Sequence, residues 1–283
     1  MPLSRAQEHA AIILLSAGAG RISLAGGAAL IVHGLVDRTT QDLDAFSRPR
    51  GNVPEIAASV ALAFVSAGYA VQDVSEADEL RTLMVSRQRR RLLGRPLRPV
   101  KVQIGRDFQL LEPVPSPVGQ TLDPVELAAN KVLTVYDRPR ARDADDIARL
   151  VPRFGLRQML EVADRKQVEP LVRGALADSF RMLQRIQDRE FPYPENAASV
   201  KLFMGAIAQS VESGSSLPTR GPYQLFVQRQ PNTKTNRGSD GRTGVFAAPN
   251  APARSRHGRG GICGARTKRG GVCRNPAGSC PHH

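Results

Sequence analysis

Apolar and polar positions alternate in short blocks along the first 212 residues, and each block predicts one element. Residues 4–16 have helical spacing behind Ser4, a residue type that caps helix N-termini well. Residues 22–25 (ISLA) predict a short buried strand, and Gly26-Gly27 then predict a tight turn. Residues 28–33 predict a short helix, and residues 41–46 (QDLDAF) a strand. Side chains two apart on a strand share a face, so Asp42 and Asp44 project together and Leu43 turns to the core. Residues 53–67 predict a helix with Pro54 near its start and Gly68 past its end. Residues 69–74 and 80–85 predict a hairpin-like strand pair, and residues 100–104 (VKVQI) another strand. The proline-rich residues 110–119 predict an irregular crossing segment.

Helical patterns follow. Asp123, Pro124 and Glu126 occupy the cap, first and third positions of a helix running to about Asp137. Arg142-Asp143 opens the next helix, with Asp143 and Asp146 three apart on one face, which on spacing alone suits a salt-bridged helix pair. Residues 154–162, 168–189 and 197–211 predict further helices, the last two parted by Phe191-Pro192-Tyr193-Pro194. The fold class is therefore α/β (α+β): a small mixed sheet with flanking helices over residues 1–112, then a helical domain over 113–212.

Charge changes the picture at the C-terminus. The chain has 283 residues and a formal net charge of +14. From Arg220 onward there are 12 Lys/Arg and one Asp, a net +11, which leaves +3 on the first 219 residues. The body is ordinary and the tail is a polycation, which implies a polyanionic partner, most simply nucleic acid. Residues 213–261 are too rich in Gly, Pro, Ser and Asn to bury a core and predict a disordered basic linker. Residues 262–283 hold Cys263, Cys273, Cys280 and His282, a set that suits a tetrahedral structural zinc ion or else is three loose cysteines in a tail. The segment resembles short zinc modules of three cysteines and one histidine. Residues 86–98 hold six arginines, either a solvated loop or a guide for RNA or a triphosphate. No apolar run reaches the roughly 20 residues of a membrane helix. The cysteines, all after residue 260, do not read as a disulfide framework, so a cytoplasmic protein is expected.

The chemistry gathers at residues 22–47. Two adjacent carboxylates repel each other unless a cation lies between them. A glycine turn beside such a pair suits nucleotidyl transfer: the turn receives a triphosphate and the carboxylates hold Mg²⁺. Taken singly, each feature also suits a plain turn and a solvated strand.

Their order is more telling. Gly26-Gly27-Ala28-Ala29-Leu30 precedes Arg38-Thr39-Thr40-Gln41-Asp42-Leu43-Asp44, and Lys131, Arg138, Arg142, Asp143 and Asp146 follow. In this the chain resembles the AbiEii/AbiGii-like nucleotidyltransferase toxins, a branch of the polymerase-β-type nucleotidyltransferases. The resemblance implies an enzyme that moves an NMP from an NTP to an acceptor, with tRNA or another RNA as that acceptor and an antitoxin as cognate partner. It implies that Asp42 and Asp44 bind Mg²⁺ and that Gly26, Gly27 and Lys131 receive phosphates. It further implies that Arg38 and Thr40 steady the site and that Arg142 and Asp143 build its far wall. One position departs. The family places a third carboxylate between apolar neighbours where this chain has Gln103, which cannot serve as a charged ligand or general base. Asp107 is a candidate substitute. The alternatives are a nucleic-acid-binding protein on a silent scaffold and a small-molecule nucleotidyltransferase, although a small acceptor needs no polycationic tail.

Overall fold

Period-two alternation builds a seven-stranded mixed sheet in the computed structural model, which describes residues 3–75, 77–87, 99–215 and 221–222. The elements run α1 (Arg5–Gly18), β1 (Ile22–Ala25), α2 (Gly26–Val32), β2 (Asp42–Ser47), α3 (Val53–Ser66), β3 (Tyr69–Asp73), β4 (Leu80–Arg87) and β5 (Val100–Arg106). They continue β6 (Val114–Ser116), β7 (Gly119–Thr121), α4 (Pro124–Asp137), α5 (Ala141–Phe154), α6 (Leu156–Arg165), α7 (Arg173–Gln184) and α8 (Ala197–Ser213). All belong to one unit, Met1–Pro231. The candidate zinc ligands Cys263, Cys273, Cys280 and His282 lie outside the described residues, as do nearly all of the basic linker and residues 88–98 of the arginine-rich stretch.

The strand order is β3-β4-β5-β2-β1-β7-β6. The pairs β2–β5 and β1–β7 are parallel and the other four antiparallel. Helices α1 and α3 pack together against the sheet. Leu24, Leu43, Ala45, Val102 and Ile104 are wholly buried on the central strands, so every second residue of β2 and β5 is committed to the core. The intervening positions, Asp42, Asp44, Lys101 and Gln103, share the other face.

Local signals explain most helix starts. Ser4 and Gln7 form a reciprocal capping box on α1, and the Asp123 side chain accepts from the Val125 N–H at the start of α4. The first glycine belongs to α2 itself, which begins at Gly26 rather than at residue 28.

Two expectations are corrected. The segment 110–119 is not irregular throughout: β6 and β7 form a hairpin that completes the sheet. Pro115 is tolerated because β6 is an edge strand and needs no outward N–H. Gly119 is fitted to α1, since a Cβ there would lie 2.9 Å from Leu15. The helix expected over 168–189 is α7 alone, followed by a 3₁₀ turn at Asp188–Glu190. Pro170 disfavours helix at the residue before it, which delays the start.

Candidate active site

The open face of β2 and β5 floors a cleft of about 380 Å³, and α4 and α5 supply its opposite wall. Gly26, Gly27, Arg38, Thr40, Asp42, Asp44, Lys131, Arg142 and Asp143 all line it, so residues read from separate motifs converge at one place. Gln103 and Asp107 line it as well.

The two glycines answer to two different neighbours. Gly26 has φ +59°, and a Cβ there would sit 2.0 Å from Asp44 Oδ2. Only glycine lets β1 turn into α2 with that carboxylate in place. A Cβ on Gly27 would lie 3.0 Å from an Arg38 guanidinium nitrogen and 3.2 Å from Thr40 Oγ1. The bare turn is therefore pressed between the carboxylate strand and the Arg38–Thr40 segment.

Asp42 and Asp44 stand on one face of β2 and carry no ion pair among the described residues. Burial, and then the charge of Asp42, push the Asp44 carboxyl above its ordinary range, against the pull of Lys131, Lys101 and Arg142. A divalent cation bound there would relieve both burdens, so the donor set fits Mg²⁺, which takes oxygen ligands from one or two carboxylates and completes its shell with phosphates and water. Among the described residues no three His, Cys, Asp or Glu side chains gather as a metal-binding group. Gln103 pairs with Asp44 across the parallel β2–β5 ladder, so a carboxamide occupies the place expected for a third carboxylate.

Asp107, which also lines the cleft, is engaged by the helices. Its Oδ2 accepts from Lys166 Nζ at 2.6 Å and from Asn130 Nδ2 at 3.2 Å. Lys166 Nζ also reaches Glu126 Oε1 at 2.7 Å, and the Glu126 carboxylate accepts from the Leu110 and Leu111 N–H groups. Asp107 thus ties the end of β5 to the helices.

Behind the cleft lies a buried charge network. Arg38 grips Asp146 with two hydrogen bonds of 2.7 Å, and a third goes from Arg38 Nη1 to the Thr39 carbonyl at 2.9 Å. Lys131 Nζ sits 2.9 Å from Asp143 Oδ1 and 2.8 Å from Asp146 Oδ2. Burial opposes the charge on Lys131, but Asp146 and Asp143 outweigh it and hold the ammonium above its usual pKa. Burial likewise opposes ionised Asp146, and Lys131 and Arg38 outweigh it, so this carboxyl is held below the usual range. Asp143 Oδ2 is buried without a hydrogen-bond partner, an acceptor left open in a residue that lines the cleft.

Sequence reasoning placed Lys131 and Asp143 in the site but did not foresee that Asp146 joins Arg38 to Lys131. It gave Glu126 only a place in the first turn of α4, and it missed Lys166. Nothing local announces these pairs: Arg38 and Asp146 are 108 residues apart, Lys166 and Asp107 are 59 apart.

A mixed sheet that sets a Gly-Gly turn against an Asp-x-Asp strand, closed by helices carrying Lys and Arg, defines a nucleotidyltransferase. The chain belongs to the AbiEii family of nucleotidyl transferase toxins of type IV toxin–antitoxin systems, whose family model matches residues 10–215. Among solved structures it is similar to MenT4, a nucleotidyltransferase toxin from Mycobacterium tuberculosis, with a TM-score of 0.50 and 14% identity over 78% of this chain and 89% of that one. JHP933 from Helicobacter pylori is matched over 81% of this chain and 100% of its own, with a TM-score of 0.47 and 17% identity. No curated protein matches the chain by sequence. Among the described residues no helix is long and apolar enough to cross a membrane.

Proposed function

We propose that this nucleotidyltransferase transfers an NMP from an NTP to RNA, with tRNA as the leading class of acceptor, and that an antitoxin restrains it. The observation that carries the reading is the meeting of Asp42 and Asp44 with the side-chain-free Gly26-Gly27 turn in one cleft. Asp42 and Asp44 would hold Mg²⁺, which when bound supplies charge stabilisation at the transferred phosphorus and the leaving pyrophosphate. The Gly26-Gly27 backbone lets the triphosphate approach closely, and Arg138 and Arg142 line the same cleft as cationic partners for its oxygens. Lys131 lines the same wall and is held in place by Asp143 and Asp146. Arg38 and Thr40 brace the turn from beneath. The charge of the tail and the clustering of Cys263, Cys273, Cys280 and His282 support an added RNA contact through a zinc module.

The test is transfer of label from each of the four α-labelled NTPs, with Mg²⁺, to total cellular RNA. Labelled RNA is expected with the wild type and none with Asp44→Ala. Label that persists in Asp44→Ala would remove the carboxylates from the mechanism. No label with the wild type would instead favour the alternative that Gln103 raises, a fold retained for nucleic-acid binding.

A further inference from the structure

The cleft's own side chains are short of carboxylate for two metal ions. Asp143 is already paired with Lys131, and Asp107 shares Lys166 with Glu126. That leaves Asp42 and Asp44 as its only carboxylates without an ion pair among the described residues, and Gln103 adds no charge beside them. Against them stand fixed cations. Lys101 is in register with Asp42 on the same face of the sheet, and Arg138 and Arg142 line the cleft. The charges of both Lys101 and Arg142 act on Asp44. Paired catalytic metals lie only about 3.5–4 Å apart. The triphosphate brings negative charge for the ion that rides with it, but an ion seated on the protein beside the first would have only Asp42 and Asp44 to share and Lys101 to repel it.

We propose that the cleft binds one divalent cation together with the triphosphate rather than a pair, and that the permanent positive charges of Lys101 and Arg142 supply what a second cation would bring. The proposal rests on the nucleotidyl-transfer reading of the same cleft. It makes residue 103 the position that sets metal count. Gln103 can offer a neutral carboxamide oxygen, but it cannot bridge two dications as a carboxylate does.

The experiment counts Mn²⁺ bound per chain by the free-ion electron paramagnetic resonance signal. It uses the full-length protein with the α,β-methylene analogue of each of the four NTPs. Only Mn²⁺ whose binding disappears in Asp44→Ala is scored. One such ion is expected in the wild type and two in Gln103→Glu. Lys101→Met should tighten the single site about fivefold, since a like charge near the bound cation is gone. Two Asp44-dependent ions in the wild type would overturn the proposal while leaving nucleotidyl transfer standing. A Gln103→Glu count that stays at one, or a Lys101→Met affinity that does not rise, would contradict the roles given to those residues. Mn²⁺ binding that ignores Asp44 altogether would defeat the transfer reading, and the proposal with it. A circular-dichroism spectrum establishes that Asp44→Ala is folded before its count is subtracted, and the wild-type count then decides the matter even where Gln103→Glu or Lys101→Met fails to fold.

Discussion

Gly26 and Asp146 show how single residues set this site. A side chain at Gly26 collides with Asp44 Oδ2 and also forces an L-residue into left-handed backbone. Gly26→Ala should cost about 1–2 kcal/mol of stability and should cut transfer far more than a loss of that size explains. A thermal melt and a transfer assay on the same preparation check both, and unchanged activity would mean that Asp44 has room to move. Asp146 is the anion that Arg38 and Lys131 share. Replacing it by Asn leaves two buried cations short of charge, which should cost about 3–5 kcal/mol. The pH dependence has a definite sign. Because the folded-state pKa lies below the ordinary 3.8, ionised Asp146 stabilises the fold fully above that value, and the contribution fades as pH falls through the lowered pKa. Asp146→Asn should therefore flatten the acid limb of a stability-versus-pH curve. Asp42, Asp44 and the two glycines were legible in the sequence because strand period and turn chemistry are local. The Arg38–Asp146 grip was not, because it exists only once α5 docks.

Among elements, β5 and α4 to α6 carry the join between sheet and helices. The side chain of Lys166, immediately after α6, is 2% exposed and holds both Asp107 after β5 and Glu126 on α4. Lys166→Met would leave two carboxylates uncompensated, and chemical denaturation should report a loss of about 3 kcal/mol or more. A variant as stable as the wild type would show that the helices are held by apolar packing alone. Helix starts at Ser4 and Asp123 were readable because a cap is chosen by residues within one turn. The β6–β7 hairpin was not, because its strands are three residues each and a proline sits in one of them. What makes them strands is the parallel pairing of Leu24 with Thr121, a contact that periodicity does not reveal.

At the scale of the whole molecule, a nearly balanced enzyme body is joined to a polycation. Residues 232–283 carry ten Lys/Arg against one Asp. Their deletion should leave the thermal melt of the body unchanged, since the described elements all lie within Met1–Pro231. It should also flatten the dependence of RNA affinity on salt, by about 0.7 in log–log slope for each single-strand phosphate that the tail no longer neutralises. An unchanged slope would separate the tail from RNA binding. The claim on which the rest depends is that Asp42 and Asp44 hold the cation and Gly26-Gly27 the triphosphate. A crystal of the protein with Mn²⁺ and a non-hydrolysable NTP tests it most directly. The account predicts anomalous density at the Asp42 and Asp44 carboxylates, with the triphosphate against the glycine turn. Manganese and triphosphate seated elsewhere, with those carboxylates bare, would contradict it.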